Sequence, residues 1–113
     1  MRYIEIQSND PNITIRIGLE DGGTIQLTLN FRSNQRCWFY SIAGSSGFTV
    51  NNRRLVNSPN MLRQFRKNIN FGLSCFVSDG GEPWFLNDFQ TGRVKICELS
   101  SSDVSKVEEQ LRL

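Results

Sequence analysis

Apolar and polar residues alternate in two neighbouring stretches near the start of the chain. Ile13, Ile15, Ile17 and Leu19 alternate with polar residues or glycine, and the same period of two continues over 25–31. This is the period of a half-buried β-strand. The residues between the stretches, EDGG, are types that favour tight turns. The pattern therefore predicts a β-hairpin over 13–31.

Similar short apolar runs separated by turn residues continue through the rest of the chain. Further strands are predicted over 3–6, 37–43, 48–50, 53–56, 69–77 and 94–99. The run 37–43 carries apolar residues on both faces, which predicts a strand covered on both sides. The pair Asn51-Asn52 is interpreted as a tight turn between two of these strands, and 61–65 as a single helical turn or an irregular arm.

The C-terminal segment has the features of a short amphipathic helix. The sequence SSSD at 100–103 provides serine at the start of the helix and an acid in its first turn. Val104, Val107 and Leu111 then share one helical face. We expect a helix over about 102–112. A helix of about ten residues is marginal in isolation, so this one is expected to dock.

These elements define a fold class. No linker, repeat or low-complexity tract interrupts the 113 residues, and we expect a single domain, 1–113, with its β core over about 1–99. Short strands at intervals of about ten residues are typical of all-β folds. The prediction is a small β-sandwich or barrel of seven to eight antiparallel strands with a short C-terminal helix.

The residue types needed for catalysis or metal binding are sparse. The chain has no histidine, and its three cysteines are widely spaced among strand residues, whereas zinc sites use closely spaced pairs. The cysteines are expected to be free, mostly buried thiols. No nucleophile-elbow, phosphate-loop or dinucleotide motif occurs. We expect no metal, no cofactor and no enzymatic activity.

Charge is unevenly distributed along the chain. The net charge is +2, but 22–78 contains seven basic residues and no acid, while both flanking segments are acidic. Arginine's planar fork suits recognition of carboxylates and phosphates. From this block we take as candidate partner-interface residues Arg53, Arg54, Arg63, Arg66 and Lys67.

Two interpretations of the basic block remain open. In the first, the block scatters over the surface or serves protein contacts. In the second, it forms a platform for single-stranded nucleic acid together with Trp38, Phe39, Tyr40, Phe65 and Phe71. Alternation places most of these aromatic residues in the core. The modest net charge also differs from that of dedicated nucleic-acid binders. Nucleic acid is therefore not expected as the main partner.

The connection 78–93, SDGGEPWFLNDFQTGR, is far longer than a hairpin needs, and connections of this length are usually functional or disordered. Its apolar residues argue against disorder. The loop either caps its own barrel, or Trp84 and Phe85 anchor a subunit contact. Because of the second possibility, Trp84 and Phe85 are added to the candidate interface residues. Asp79, Glu82 and Asp88 lack calcium-loop spacing and are expected to serve the turn and its solubility.

The order of these segments resembles that of a known family. FRSNQRCWFY, GFTVNNRRLVNSPNMLRQF and FGLSCFVSDGGEPWFLNDFQTGRVKICEL are similar, over about 13–99, to small tail proteins of contractile-tailed phages related to the cyanophage baseplate plug. The matching positions are Trp38, Leu55, Leu62, Gly72, Leu73, Asp79, Asp88 and Val94.

The resemblance implies a function and a location. It implies a structural plug or ring protein of the baseplate, near the tail tube and hub, whose partners are other tail or baseplate proteins and copies of itself. The implied place is the virion tail, after synthesis and assembly in the host cytoplasm. No apolar run approaches the length of a membrane span, and no signal peptide is evident at the N-terminus. The alternative function is that of a small single-stranded nucleic-acid-binding β-barrel.

Overall fold

The computed structural model describes residues 2–6, 8, 10–19, 23–44, 47–65, 69 and 71–111. Within them the chain forms seven strands: β1 (Arg2–Ile4), β2 (Asn12–Gly18), β3 (Thr24–Arg32), β4 (Cys37–Gly44), β5 (Thr49–Arg54), β6 (Gly72–Val77) and β7 (Val94–Leu99). A single helical turn, α1 (Asp88–Thr91), precedes β7, and a longer helix, α2 (Ser101–Leu111), follows it. A short 3₁₀ helix spans Arg63–Phe65, within the predicted helical turn.

The strands form two antiparallel sheets. One sheet has the order β2-β3-β4-β5, so each strand pairs with its neighbour in sequence. The other has the order β1-β7-β6 and joins the two ends of the chain, with Ile4 opposite Ile96. The all-β prediction with a C-terminal helix is confirmed. The hairpin predicted over 13–31 is β2 and β3, with Ile15 opposite Leu27.

Both sheets contribute to one cluster of buried apolar residues. Leu27, Leu29 and Ile42 come from the four-stranded sheet, and Leu73 and Ile96 come from the three-stranded sheet. All five are 2 % exposed or less. Burial of this kind is the main stabilising contribution to a small β domain. The two sheets therefore pack face to face as a sandwich.

The prediction of a tight turn at Asn51-Asn52 is wrong. β5 runs through both residues, and its pairing with β4 shifts register between Tyr40 and Ile42. Val50 lies opposite Ile42 and Arg53 opposite Tyr40, so β5 holds one extra residue there. Asn52 has a φ of 50°, a value that asparagine tolerates better than most residues. The asparagine pair that predicts a tight turn from sequence instead lies at a β-bulge in β5.

The segment after β5 covers the free edge of β6. Ser58 and Cys75 exchange backbone hydrogen bonds of 2.9 Å in both directions, and Met61 N–H donates to Leu73 O at 2.7 Å. Asn60 is buried against β6, and a Cβ placed on Gly72 would lie 2.6 Å from Asn60 Oδ1. Glycine at position 72 is therefore required by this close approach.

All three cysteines are free, as predicted. Cys37 and Cys75 are buried, whereas Cys97 is half-buried on the outer face of its sheet. Burial raises the pKa of the Cys75 thiol to about 12, with smaller contributions from the nearby carboxylates of Glu82 and Asp88.

The C-terminal helix begins with the predicted cap. Asp103 N–H donates to Ser100 Oγ at 3.3 Å, and Ser100 N–H donates to Asp103 Oδ2 at 3.2 Å. This reciprocal pair satisfies donors that a helix start leaves free. Val104 is buried and holds the first turn on the fold. Among the residues described, no helix is long and apolar enough to cross a membrane.

Candidate functional site

The connection 78–93 is closed at its base by the strands that it joins. Ser78 N–H donates to Arg93 O at 2.9 Å, which extends the β6–β7 ladder beyond the Val77–Val94 pair. Gly80 N–H donates to Val77 O at 3.0 Å and starts the loop with a turn. The loop therefore leaves and rejoins the sheet at one point.

Arg93 holds the loop together from its end. Its Nε and Nη2 lie 2.9 and 3.2 Å from the two carboxylate oxygens of Asp79, a two-pronged ion pair. Its Nη1 donates to Glu82 O at 2.9 Å and to Asp88 Oδ1 at 3.0 Å. Charge-assisted, bidentate bonds of this kind are the stronger hydrogen bonds of proteins. A single guanidinium thus connects three separate points of the loop.

The ion pairs alter the acid–base properties of the loop. The hydrogen bond from Arg93, with help from Gly81 N–H, holds the pKa of the Asp79 carboxyl below its ordinary value. The same hydrogen bond raises the pKa of Arg93, followed by a smaller contribution from Asp88. Asp79 serves the turn as expected, because Gly81 N–H donates to Asp79 Oδ1 at 2.9 Å, but the acids also have a further role. Asp79 and Asp88 are the structural partners of Arg93.

The backbone of Phe85 is fixed on both sides. Its N–H donates to Asp88 Oδ2 at 2.9 Å, and its carbonyl oxygen accepts from Trp38 Nε1 at 3.0 Å. Phe89, presented by α1, packs its ring edge-on against Trp38 with the ring centroids 4.9 Å apart. The loop is therefore tied to the buried centre of the four-stranded sheet.

The apolar residues of the loop divide into two groups. Pro83 is buried and Phe89 is only 3 % exposed. Trp84, Phe85 and Leu86 remain 42 %, 54 % and 39 % exposed. The Trp84 and Phe85 rings lie beside the Arg93 guanidinium, whose central carbon is 5.6 and 5.1 Å from their centroids. The loop packs onto its own sandwich and also presents aromatic side chains to solvent.

A shallow depression of about 330 Å³ lies beside these aromatic side chains. Its lining consists of Gln35, Arg36, Arg54, Trp84 and Phe85. We call Arg36, Arg54, Trp84 and Phe85 the basic–aromatic patch. Large aromatic residues and arginine are the types enriched at the centres of protein interfaces.

Strand pairing explains why the arginines reach the patch. β5 places Arg54 opposite Phe39, while the guanidinium of Arg32 lies 4.2 Å from the Phe39 ring centroid. Arg36 ends the turn between β3 and β4 with a φ of 49°. The four-stranded sheet and the 78–93 loop thus meet at this surface.

Of the remaining candidate interface residues, Arg53 and Arg63 are described and do not line the patch. Arg53 is exposed and lies opposite Tyr40 in the ladder, with its guanidinium carbon 5.7 Å from the Phe65 ring centroid. Burial raises the pKa of Tyr40, and the charge of Arg53 acts in the opposite direction. Arg63 is exposed in the 3₁₀ helix, and Arg66 and Lys67 lie outside the described residues. Within the described residues, Arg53 and Arg63 therefore lie apart from the surface that contains Arg54.

The aromatic residues considered for nucleic-acid stacking are mostly internal. Trp38 is fully buried and Tyr40 is 3 % exposed. Phe39, Phe65 and Phe71 are half-buried, and Phe65 and Phe71 pack against Phe48. The described residues thus offer Trp84 and Phe85, rather than Trp38 or Tyr40, for contact with a partner.

Two residues of the site were missed by the sequence interpretation. Arg36 was counted in the basic block but not chosen, because its position depends on the turn before β4. Arg93 was not chosen because its importance depends on acids five and fourteen positions away. The sequence does contain one signal for Arg93: it is the single basic residue of the 78–93 loop, it stands at the end of the loop, and the loop contains three acids.

Among the described residues, no group of three or more histidine, cysteine, aspartate or glutamate side chains is placed to hold a metal ion. The acids closest to forming one, Asp79 and Asp88, already bind Arg93. The site is thus an ordered surface formed by aromatic and arginine side chains.

The comparison with protein families agrees with the order of segments noted in the sequence. Residues 1–100 match the model of the family described as "Cyanophage baseplate Pam3 plug gp18". The positions singled out by the resemblance are mostly core residues of this fold: Trp38, Leu55, Leu62, Leu73 and Val94 are at most 1 % exposed. No curated protein matches the chain. The family match covers nearly the whole chain, and the protein belongs to the cyanophage baseplate plug family.

Proposed function

We propose that this protein is a structural, non-catalytic component of a phage tail baseplate, a plug or ring protein near the tail tube and hub. The observation that carries the proposal is the family match over residues 1–100. The proposed location is the virion tail, and the proposed site of synthesis and assembly is the host cytoplasm. The proposed partners are other baseplate proteins and copies of the same chain.

The surface of the described residues supports a binding role. A depression lined by two arginines and two aromatic side chains is suited to contact with another protein, because desolvated aromatic anchors and arginines contribute most of the binding free energy at many interfaces. The loop that presents the aromatic side chains is held by four hydrogen bonds from Arg93. A surface that is already ordered loses less conformational entropy on binding.

Contacts between copies of the chain are proposed to use a surface separate from the basic–aromatic patch. The basic–aromatic patch lies where the four-stranded sheet meets the loop. A second apolar surface lies on the outer face of the three-stranded sheet, where Tyr3 is 47 % exposed and Phe76 is 58 % exposed. We assign contacts between copies to this second surface.

The test is the composition and architecture of tails. A phage lacking this gene is complemented with the wild-type chain, and purified tails are analysed by mass spectrometry and electron cryo-microscopy. We expect the chain in several copies around the tail axis, next to the tube and hub, and we expect the tails of the uncomplemented phage to lack that density. Purified infectious tails that do not contain the chain would refute the proposal.

A further inference from the structure

The basic–aromatic patch carries positive charge from Arg36 and Arg54, which lie outside the 78–93 loop. Arg36 and Arg54 are both exposed, and the described residues that line the depression include no carboxylate. The acids of the adjacent loop are engaged elsewhere: Asp79 and Asp88 bind Arg93, and Glu82 Oε2 accepts from Asn57 N–H at 2.7 Å. The two patch arginines therefore face solvent without a carboxylate of the depression to neutralise them.

Arg36 adds a conformational argument. Its φ of 49° lies in the left-handed region, which disfavours residues with a Cβ and is most easily adopted by glycine. Backbone strain of this kind often accompanies functional positions. The strained turn places an arginine at the rim of an exposed aromatic pair.

We infer that the patch binds a carboxylate-bearing segment of a different tail protein, with an apolar side chain of that segment seated against Trp84 and Phe85. This inference rests on the proposed function and names the chemistry of one partner. The Arg36 and Arg54 guanidinium groups pair with carboxylates that flank the apolar anchor, as the fork geometry of arginine favours.

A second copy of this chain fits the patch less well than a different protein does. Asp10, Asp79, Glu82, Asp88 and Asp103 all accept hydrogen bonds from their own chain. Asp79, Glu82 and Asp88 share the 78–93 loop but are held there by Arg93 and Asn57, whereas Asp10 and Asp103 lie elsewhere in the chain, so these five acids do not form one accessible acidic segment. The complementary charge is therefore expected on another protein.

Single-stranded nucleic acid also fits the patch less well. Nucleic-acid platforms combine several stacking aromatic residues with a basic groove that follows the phosphates for at least about four nucleotides. Here the exposed pair is Trp84 and Phe85, at a depression of about 330 Å³, on a chain with a net charge of +2. Such a surface is suited to one short protein segment.

The first experiment measures incorporation of charge variants into tails. A phage lacking the gene is complemented with Arg36→Glu/Arg54→Glu, and copies of the chain per tail are counted by mass spectrometry against the tube protein. The matched control is Arg16→Glu/Lys106→Glu, which makes the same change in net charge at exposed positions of β2 and α2. A second variant, Arg36→Lys/Arg54→Lys, keeps the charge but removes the forks.

We expect the Glu/Glu patch variant to incorporate at least about tenfold less than wild type, because it places like charges against the partner's carboxylates. The Lys/Lys variant is expected to fall between it and wild type, and the control to match wild type. Circular dichroism melting confirms that all variants are folded. Normal incorporation of the Glu/Glu variant overturns the inference, while presence of the wild-type chain in tails still upholds the proposed function.

The second experiment identifies the occupant. A photo-crosslinking benzoyl-phenylalanine replaces Phe85, and assembled tails are irradiated and digested for mass spectrometry. The expected adduct lies on another tail protein, within a few residues of aspartate or glutamate. An adduct on a second copy of this chain, or on a segment without acids, overturns the inference.

The third experiment tests the nucleic-acid alternative. Binding of a fluorescent 30-nucleotide single strand is measured for wild type and the Glu/Glu patch variant at about 0.15 M salt. We expect no measurable binding by either protein. Sub-micromolar binding by wild type that is lost in the patch variant would assign the patch to nucleic acid and overturn the inference.

Discussion

The 78–93 loop contains two neighbouring regions that behave in opposite ways. Residues 88–93, the anchor, bury Asp88 and Phe89 to 1 % and 3 % exposure and contain Arg93. Residues 84–86, the tip, leave all three side chains at least 39 % exposed. The tip, WFL, is the more apolar of the two in sequence and yet the more exposed, whereas the anchor is DFQTGR, so the difference arises from how the backbone is held. The anchor stabilises the fold, and the tip is left available for a partner.

The sharpest test of this comparison uses two phenylalanines four positions apart. Phe89→Ala removes a buried ring that packs on Trp38 and is expected to lower the free energy of unfolding by about 3–5 kcal/mol. Phe85→Ala, at a side chain that is 54 % exposed, is expected to lower it by less than about 1 kcal/mol. Urea denaturation followed by fluorescence measures both values. Equal losses would show that anchor and tip are not distinct.

A second pair of variants compares the two carboxylates that bind Arg93. Asp88→Ala removes a buried acceptor from both Arg93 and Phe85 N–H, and we expect a loss of about 2–4 kcal/mol in the free energy of unfolding. Asp79→Ala is expected to lower the free energy of unfolding by clearly less, because the Asp79 side chain is 58 % exposed and solvent screens its ion pair.

Thiol labelling provides an independent readout of the same pair. Cys75 is buried close to the loop acids Glu82 and Asp88, and burial raises its pKa to about 12, so iodoacetamide should label it very slowly in wild type and in Asp79→Ala. In Asp88→Ala we expect faster labelling of Cys75, because opening of the loop exposes the thiol. Unchanged labelling in Asp88→Ala would contradict the role of Asp88 in closing the loop.

The fold could be predicted from sequence where the signal is local. Alternation identified β2, β3 and β4, and the serine-rich cap identified α2, because period and capping depend on nearby residues. The pairing of β1 with β7 could not be predicted, since alternation gives no information about which distant strand lies opposite. The bulge at Asn52 was mistaken for a turn because both use the same residue types.

The candidate site could be predicted only in part for the same reason. Trp84 and Phe85 were identified because they are large aromatic residues in an unusually long connection, and Arg54 because it belongs to a basic run. Arg93 and Arg36 depend on contacts that form only in three dimensions: the carboxylates gathered by the loop, and the left-handed turn before β4. No local pattern specifies either.

The contribution of the Asp79–Arg93 ion pair is expected to depend on pH. Because Arg93 holds the pKa of Asp79 below its ordinary value of 3.8, the pair stabilises the fold above that pH. The contribution is lost as the pH falls through the lowered folded-state pKa. Wild type should therefore be more stable than Asp79→Asn at pH 7, and the two should converge in strongly acidic buffer. A difference that stays constant from pH 7 to pH 2 would exclude this linkage.

The smallest effect on stability is expected from the tip itself. The double variant Trp84→Ala/Phe85→Ala removes two exposed rings and their contacts with Arg93. Exposed cation–π contacts contribute about 0.5–1 kcal/mol each, so the fold should survive with a modest loss of stability.

The backbone carbonyl of Phe85 still accepts from Trp38, and the ion pairs of Arg93 are untouched. Because the chain has two tryptophans, Trp38 becomes the sole tryptophan, and its emission should stay that of a buried indole. The same variant is expected to fail to enter tails, since it lacks both aromatic anchors of the basic–aromatic patch. Early melting of the isolated double variant would instead mean that the tip, like the anchor, serves the stability of its own sandwich.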